Sequence, residues 1–403
     1  MNRLVNSHPR LMNAVSSKYS RVFMFMTLAI GSLIVSYFFR RFVFLFPLLF
    51  SVGWLIAVHR DMGTQAGGSL LPTRLRLALA CYLACLLVAS LISENRVVDI
   101  RELLLTLVGP VLIALFIGRA MYREALDRII FLALVLGGVL LAANDVIQYI
   151  SDFAITKQLV SDFSHRWRTT GYILYLPFLL LFRDTLVGRP KVVFNIGLFF
   201  VFLLAASTGS RTAWGTILIE IAALGMLTRQ RQYLVDFGMF GLSIAIGLFV
   251  LPHEYGMASL ERGLSDNNRI NGHWLPAIQM SSTSSLGASL IGHGYATEVV
   301  VPPQFSAQPL PLLAGPHNVF LQAMLAGGLV TLVSLVWLFA ELSRQLWRCR
   351  GSQNEALKKL ALGGFVSFTG FFLIAGQTGD PRSEPLALFV LIVILLHRGK
   401  SAA

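Results

Sequence analysis

Apolar runs of about 16 to 20 residues recur along most of this chain, and no other feature restricts its fold so tightly. Each is near the length a helix needs to cross a hydrocarbon core about 30 Å thick. In lipid a backbone must satisfy its own N–H and C=O groups, which leaves the helix as the spanning element for runs of this length. Twelve spans are predicted, at about 22–39, 42–58, 77–93, 103–118, 129–147, 170–182, 192–206, 212–227, 233–251, 317–340, 360–376 and 386–397. Charged residues make up only 13% of the chain and apolar residues 55%, whereas a soluble domain carries about 25% charged residues. The expected fold class is an all-α polytopic membrane protein with about twelve transmembrane helices.

A net charge of +13 would suit nucleic acid, but the distribution of that charge points to a membrane instead. With the N-terminus inside, loops on that side hold 22 of the 33 Lys and Arg, and the opposite side holds 11. This is the positive-inside bias, and it places both termini in the cytoplasm. Arg40 and Arg41 run against the count and are expected to snorkel to headgroup level. The basic N-terminus precedes an apolar run with no small-residue cleavage site, so the first span is expected to be uncleaved. Cys81 and Cys85 lie in one span and Cys349 in a basic loop, a pattern that suggests neither disulfides nor a metal site.

Three parts follow: spans one to nine with short loops (1–251), a large external loop (252–316), and spans ten to twelve (317–403). Long irregular segments in a tightly connected chain are usually functional. The large loop is expected to cap the mouths of the spans with short helices, one of them amphipathic near "NNRINGHWLPAIQM" (267–280). A second external segment, "SDFAITKQLVSDFSHRWRTT" (151–170), is also polar.

Candidate functional residues gather on this external side. Arg211 lies in the turn "STGSRTAWG" (207–215), where Ser210 and its neighbours supply hydroxyls and exposed backbone. Two uses are open to it: snorkelling to lipid phosphate, or binding an oxyanion. Arg269 belongs to the large loop, five residues before Trp274, on a face that is either solvated or anion-binding. Arg166 and Arg168 flank Trp167; interfacial anchoring accounts for the trio, with phosphate contact by Arg168 as the lesser alternative. His317 and Asn318 follow a Gly-Pro break at the entrance to span ten. A helix N-terminus favours a neutral imidazole, so His317 suits a general base, with helix capping as its structural alternative. The external histidines show no metal-ligand spacing and have few carboxylates beside them, so no metal is expected. No P-loop or Rossmann segment is present, so neither nucleotide nor cofactor is expected. Asp145 and Glu220 fall inside spans, where acids are costly; Glu220 is expected to pair with a neighbouring helix.

The long external loop, the segment "HNVFLQAMLAGGLVTLV" (317–333) and the stretches "STGSRTAW" (207–214), "NRINGHW" (268–274) and "LIGHGY" (290–295) together resemble the O-antigen ligase and O-antigen polymerase superfamily. The chain departs from the family pattern at Thr331, where a second glycine is common, and at Ala326, where many relatives carry an acid. The resemblance implies a GT-C-like architecture in the bacterial inner membrane, with the large loop and the active site in the periplasm. It implies transfer of a glycan from undecaprenyl pyrophosphate to a hydroxyl of lipid A–core. Arg211 and Arg269 would bind the pyrophosphate and His317 would act as base. Asn318, Ser210, Trp274 and Arg168 would support or position substrate. One base without paired carboxylates suits a single inverting displacement. The nearest rival is the polymerase, which extends the glycan on its carrier. A protein O-glycosyltransferase lacks the appended soluble domain that would support it. A polysaccharide or lipid transporter would call for inverted repeats and broken helices around midplane polar residues.

Overall fold

Every predicted span that falls on described residues is built on a helix, as lipid burial demands of a backbone that must bond to itself. The computed structural model describes residues 71–120, 126–156, 166–250, 275, 278–279, 284–295, 318–374 and 384–401. All of them belong to the unit Ser69–Ala403, and none of the described residues forms a strand. The spans predicted at 22–39 and 42–58, and most of the 252–316 loop, lie outside the described residues.

The chain forms α1 (Thr73–Ile92), then α2 (Arg96–Leu103), which passes through a π-helical turn at Leu104–Val108 into α3 (Gly109–Ala120). Next come α4 (Leu126–Thr156), α5 (Arg166–Arg183), α6 (Arg189–Ser207), α7 (Arg211–Thr228) and α8 (Gln232–Val250). A short helix, α9 (Leu286–Ile291), lies in the external loop. Helix α10 (Val319–Cys349), α11 (Glu355–Phe368) with a π-helical turn at Thr369–Ile374, and α12 (Glu384–Ser401) close the chain. Among the described residues six helices are long and apolar enough to cross a membrane, and α5 and α12 contribute shorter apolar stretches.

Two predicted boundaries are corrected. The polar segment 151–170 is helical at both ends, since α4 continues to Thr156 and α5 begins at Arg166. Helix α10 starts at Val319 rather than 317 and runs past 340 to Cys349. Its extension is amphipathic: Glu341 and Arg344 form an i,i+3 ion pair, and Arg350 lies over the Trp347 ring.

Helices α10 and α11 are central, and α6 and α8 are peripheral. Helix α1 lies along α10, α12 along α3, α4 along α5, and α8 against α6 and α7. Phe339, Phe368, Phe372 and Phe389 join α10, α11 and α12 through edge-on and tilted ring contacts at 4.7 to 5.9 Å. Glycines bring backbones close, as membrane helices require in the absence of a strong hydrophobic drive. A Cβ on Gly363 of α11 would stand 2.7 Å from the Phe178 ring of α5. On α6 and α8 large apolar side chains such as Val193, Phe200, Val235 and Phe249 face outward, where lipid takes the place of protein.

One internal charge network ties the helices together. Arg183, the last residue of α5, is buried and donates to Asp236 in the first turns of α8, and Nη2 donates to Asp184 at 3.3 Å. The Tyr233 hydroxyl donates to Asp184 Oδ2 at 2.7 Å, and the Arg183 guanidinium lies 5.3 Å over the Tyr233 ring. Gln232 donates to Asp184 and accepts from Lys191 of α6 at 3.1 Å. Arg183 and Lys191, counted above as loop charges, are therefore the cores of a helix junction.

Among the described residues Glu220 finds no pair. It is 1% exposed and neither carboxyl oxygen has a hydrogen-bond partner; the group instead fills the space left by Gly370 in the π-helical turn after α11. Gly370 offers the carboxyl room and no donor side chain. Asp145 behaves differently and accepts from the Tyr172 hydroxyl of α5 at 2.7 Å.

Candidate functional site

The turn between α6 and α7 is held by hydrogen bonds from nearly every polar group in it. Ser207 donates to Leu204 O at 2.8 Å and shares a 2.6 Å hydrogen bond with Tyr149 of α4. Thr208 donates to Ala205 O at 2.8 Å. The buried Trp214 indole donates to Ala206 O at 2.9 Å, lacing the first turn of α7 back onto the end of α6. Ser210 is the N-cap of α7, and its hydroxyl accepts from the Ala213 amide at 3.4 Å.

Arg211 is the first residue of α7, and its side chain is exposed. It makes no ion pair or hydrogen bond with the described residues. The N-terminal end of a helix carries partial positive charge, so a cation there is unfavourable by helix electrostatics alone. A guanidinium exposed at the head of a helix, with no partner among the described residues, suits an anion.

The head of α10 is equally well defined. Asn318 is the N-cap: its Oδ1 accepts from the amides of Phe320 at 3.0 Å and Leu321 at 3.2 Å. The capping side chain sets the first turn of α10. His317 directly precedes this cap and lies outside the described residues, as do Arg269 and Trp274. Arg168 is on the first turn of α5, its side chain outside the described set. The described candidates are thus Arg211 and Ser210, brought together in one turn, and Asn318 at the head of a different helix. Capping sets a prediction. Asn318→Ala is expected to cost about 1 kcal/mol of stability, while Asn318→Asp, which keeps the acceptor, is expected to cost less than half of that. Thermal unfolding in detergent reads both.

Two features escaped the sequence. Tyr149 had only its position near the end of an apolar run to show for itself. The other is a junction between the external loop and α10. Helix α10 is broken at Gly328 (φ 69°, ψ −171°), and the carbonyls of Leu325 and Ala326 lose their helical partners there. The His293 amide donates to Leu325 O and the Gly294 amide to Ala326 O, both at 2.9 Å. Tyr295 shares a 2.9 Å hydrogen bond with Thr106 in the π-helical turn after α2. Buried Asp99 of α2 abuts Gly294. The glycines of "LIGHGY" and "AGG" were the visible signal, although nothing local said that they meet.

No protein-family model matches the chain. Among curated proteins it is similar to the O-antigen ligase of Salmonella typhimurium strain LT2, at 26% identity over 309 residues. The match covers 70% of this chain and 71% of the relative. This likeness is distant, agrees with the family resemblance seen in the sequence, and supports an O-antigen ligase-like role.

Proposed function

We propose that the chain is a membrane glycosyltransferase that moves an O-antigen polysaccharide from undecaprenyl pyrophosphate to the lipid A–core oligosaccharide. The observation that carries this reading is Arg211, exposed at a helix N-terminus with no partner among the described residues. The name of the distant relative supplies the substrate class. In this reading twelve spans form a GT-C-like body in the bacterial inner membrane, with both termini cytoplasmic and the 252–316 loop over a periplasmic site. Within this proposed topology Arg211 and Asn318 belong to the same, periplasmic end.

The chemistry divides between two needs. Pyrophosphate is a good leaving group and requires neutralisation of charge rather than a proton; Arg211 and Arg269 supply it through planar forks that match phosphate oxygens. The acceptor hydroxyl is a weak nucleophile until its proton is removed, and His317 takes that proton. The hydroxyl oxygen then attacks the anomeric carbon as the bond from that carbon to phosphate oxygen breaks. The anomeric configuration inverts, and undecaprenyl pyrophosphate departs. Ser210 and Asn318 serve the site by capping the helices that carry or follow the reacting residues.

The test is transfer by the purified chain in detergent, given lipid-linked glycan and lipid A–core in the presence of EDTA. Slower-migrating lipopolysaccharide is expected from the wild type. His317→Ala should lower the rate by about 10²- to 10⁴-fold, the contribution of a general base. Longer glycans still attached to undecaprenyl pyrophosphate would replace the ligase reading with polymerisation. Retention of the rate in His317→Ala would remove the histidine from the mechanism.

A further inference from the structure

We infer that Gly292, Gly294 and Gly328 form a backbone clamp that positions the head of α10 for the transfer reaction; the inference rests on the function proposed above. In an unbroken helix the carbonyls of Leu325 and Ala326 would accept from the amides four residues onward. They accept instead from His293 and Gly294, so the docked loop and the broken helix are a single arrangement. Neither persists unaltered without the other, because an undocked loop leaves two buried carbonyls without donors.

The surfaces meet too closely for side chains. A Cβ on Gly292 (φ 87°) would stand 2.5 Å from Ala326 O and from the amide nitrogens of Gly327 and Gly328. A Cβ on Gly328 would collide with the backbone of Leu290 and Ile291, and its φ of 69° is one that side chains disfavour. One on Gly294 would meet the Asp99 carboxylate, and Ser93 Oγ at 2.7 Å.

The clamp lies at the base of a lever. Between the break and Asn318 runs the segment Val319–Gly327, about 13 Å at the helical rise. A change of about 20° at the break, the size of an ordinary kink, would carry Asn318 through about 5 Å. Displacement of a reacting group by about 1 Å already costs on the order of 10²-fold in rate. The three glycines touch no reacting atom in this scheme and are positioning residues.

The experiment combines amide hydrogen exchange with steady-state transfer on the full chain in detergent. In the wild type the amides of His293 and Gly294 should be protected. Gly328→Ala and Gly292→Ala should each lower that protection by about tenfold or more and lower kcat by about ten- to a hundredfold. The donor KM should stay within about twofold, since Arg211 sits on another helix. The double variant should be no worse than the poorer single one, because both substitutions release the same clamp. Gly197→Ala, where the new methyl meets nothing within 4 Å, should change neither reading. If Gly328→Ala does not accumulate, His293→Pro deletes one amide donor without adding volume at a glycine and should reproduce the loss; His293→Ala, which keeps the amide, should be milder. Lost protection with unchanged kcat, or a rise in donor KM alone, would overturn the positioning role. No transfer by the wild type would overturn the proposed function and this role with it. Wild-type transfer with intact glycine variants would overturn the clamp alone.

Discussion

Arg211→Ala should slow glycan transfer by about 10²- to 10³-fold, the usual cost of deleting one group that meets charge developing on a leaving group. The same change should leave the protein slightly more stable, by about 0.3–1 kcal/mol, since it removes a cation from the positive end of a helix. This opposition of sign is the useful part. A residue retained for folding loses stability and activity together, whereas one retained for an anion loses activity and gains stability. Arg211 is exposed and outside every hydrogen bond that holds its turn, so the turn should survive the substitution. Arg211→Lys should fall between wild type and alanine, because an ammonium keeps the charge but not the two-pronged fork. Single-turnover transfer and thermal unfolding on the same preparations check both halves. A near-normal rate in Arg211→Ala would leave snorkelling as the residue's only task.

Asp236→Ala should destabilise the protein by about 3–5 kcal/mol, as expected when one partner of a buried ion pair is removed. The loss comes mainly from the survivor: Arg183, 2% exposed, would keep only the longer contacts with Asp184 at 3.3 and 3.4 Å and the Tyr233 ring, among the described residues, for a guanidinium taken out of water. Replacing both partners with apolar side chains of similar size, Arg183→Met with Asp236→Leu, should cost far less than Asp236→Ala alone, because no charge is then left buried. Unfolding in detergent, followed by helicity, compares the two. If the double variant were the worse one, the network would be stabilising beyond the cost of desolvating it, which would assign Asp184, Tyr233 and Gln232 a larger share.

Both effects depend on a distinction that a sequence cannot draw. Arg183 and Arg211 each stand beside an apolar run, and each was counted in the topology by its sign alone. Burial separates them: one closes the junction of α5, α6 and α8, and the other is exposed on a turn with no partner among the described residues. Ser210 and Asn318 were legible as polar residues at helix heads, and their capping bonds follow from local geometry. Glu220 was legible as an anomaly, but its neighbour turned out to be Gly370, 150 residues further along the chain.

By itself the sequence determined the membrane class, the helical nature of each described span and the turn that carries Arg211. Those follow from run length, composition and capping residues, which act over a few neighbours and within one element. Tertiary structure alone decided where α10 breaks and which loop amides take up the freed carbonyls. It also decided which charges are buried. A broken helix is stable only if a distant segment supplies the missing donors, and a buried charge only if distant elements surround it. Such contacts join residues far apart in the chain, so they exist only once the helices have packed.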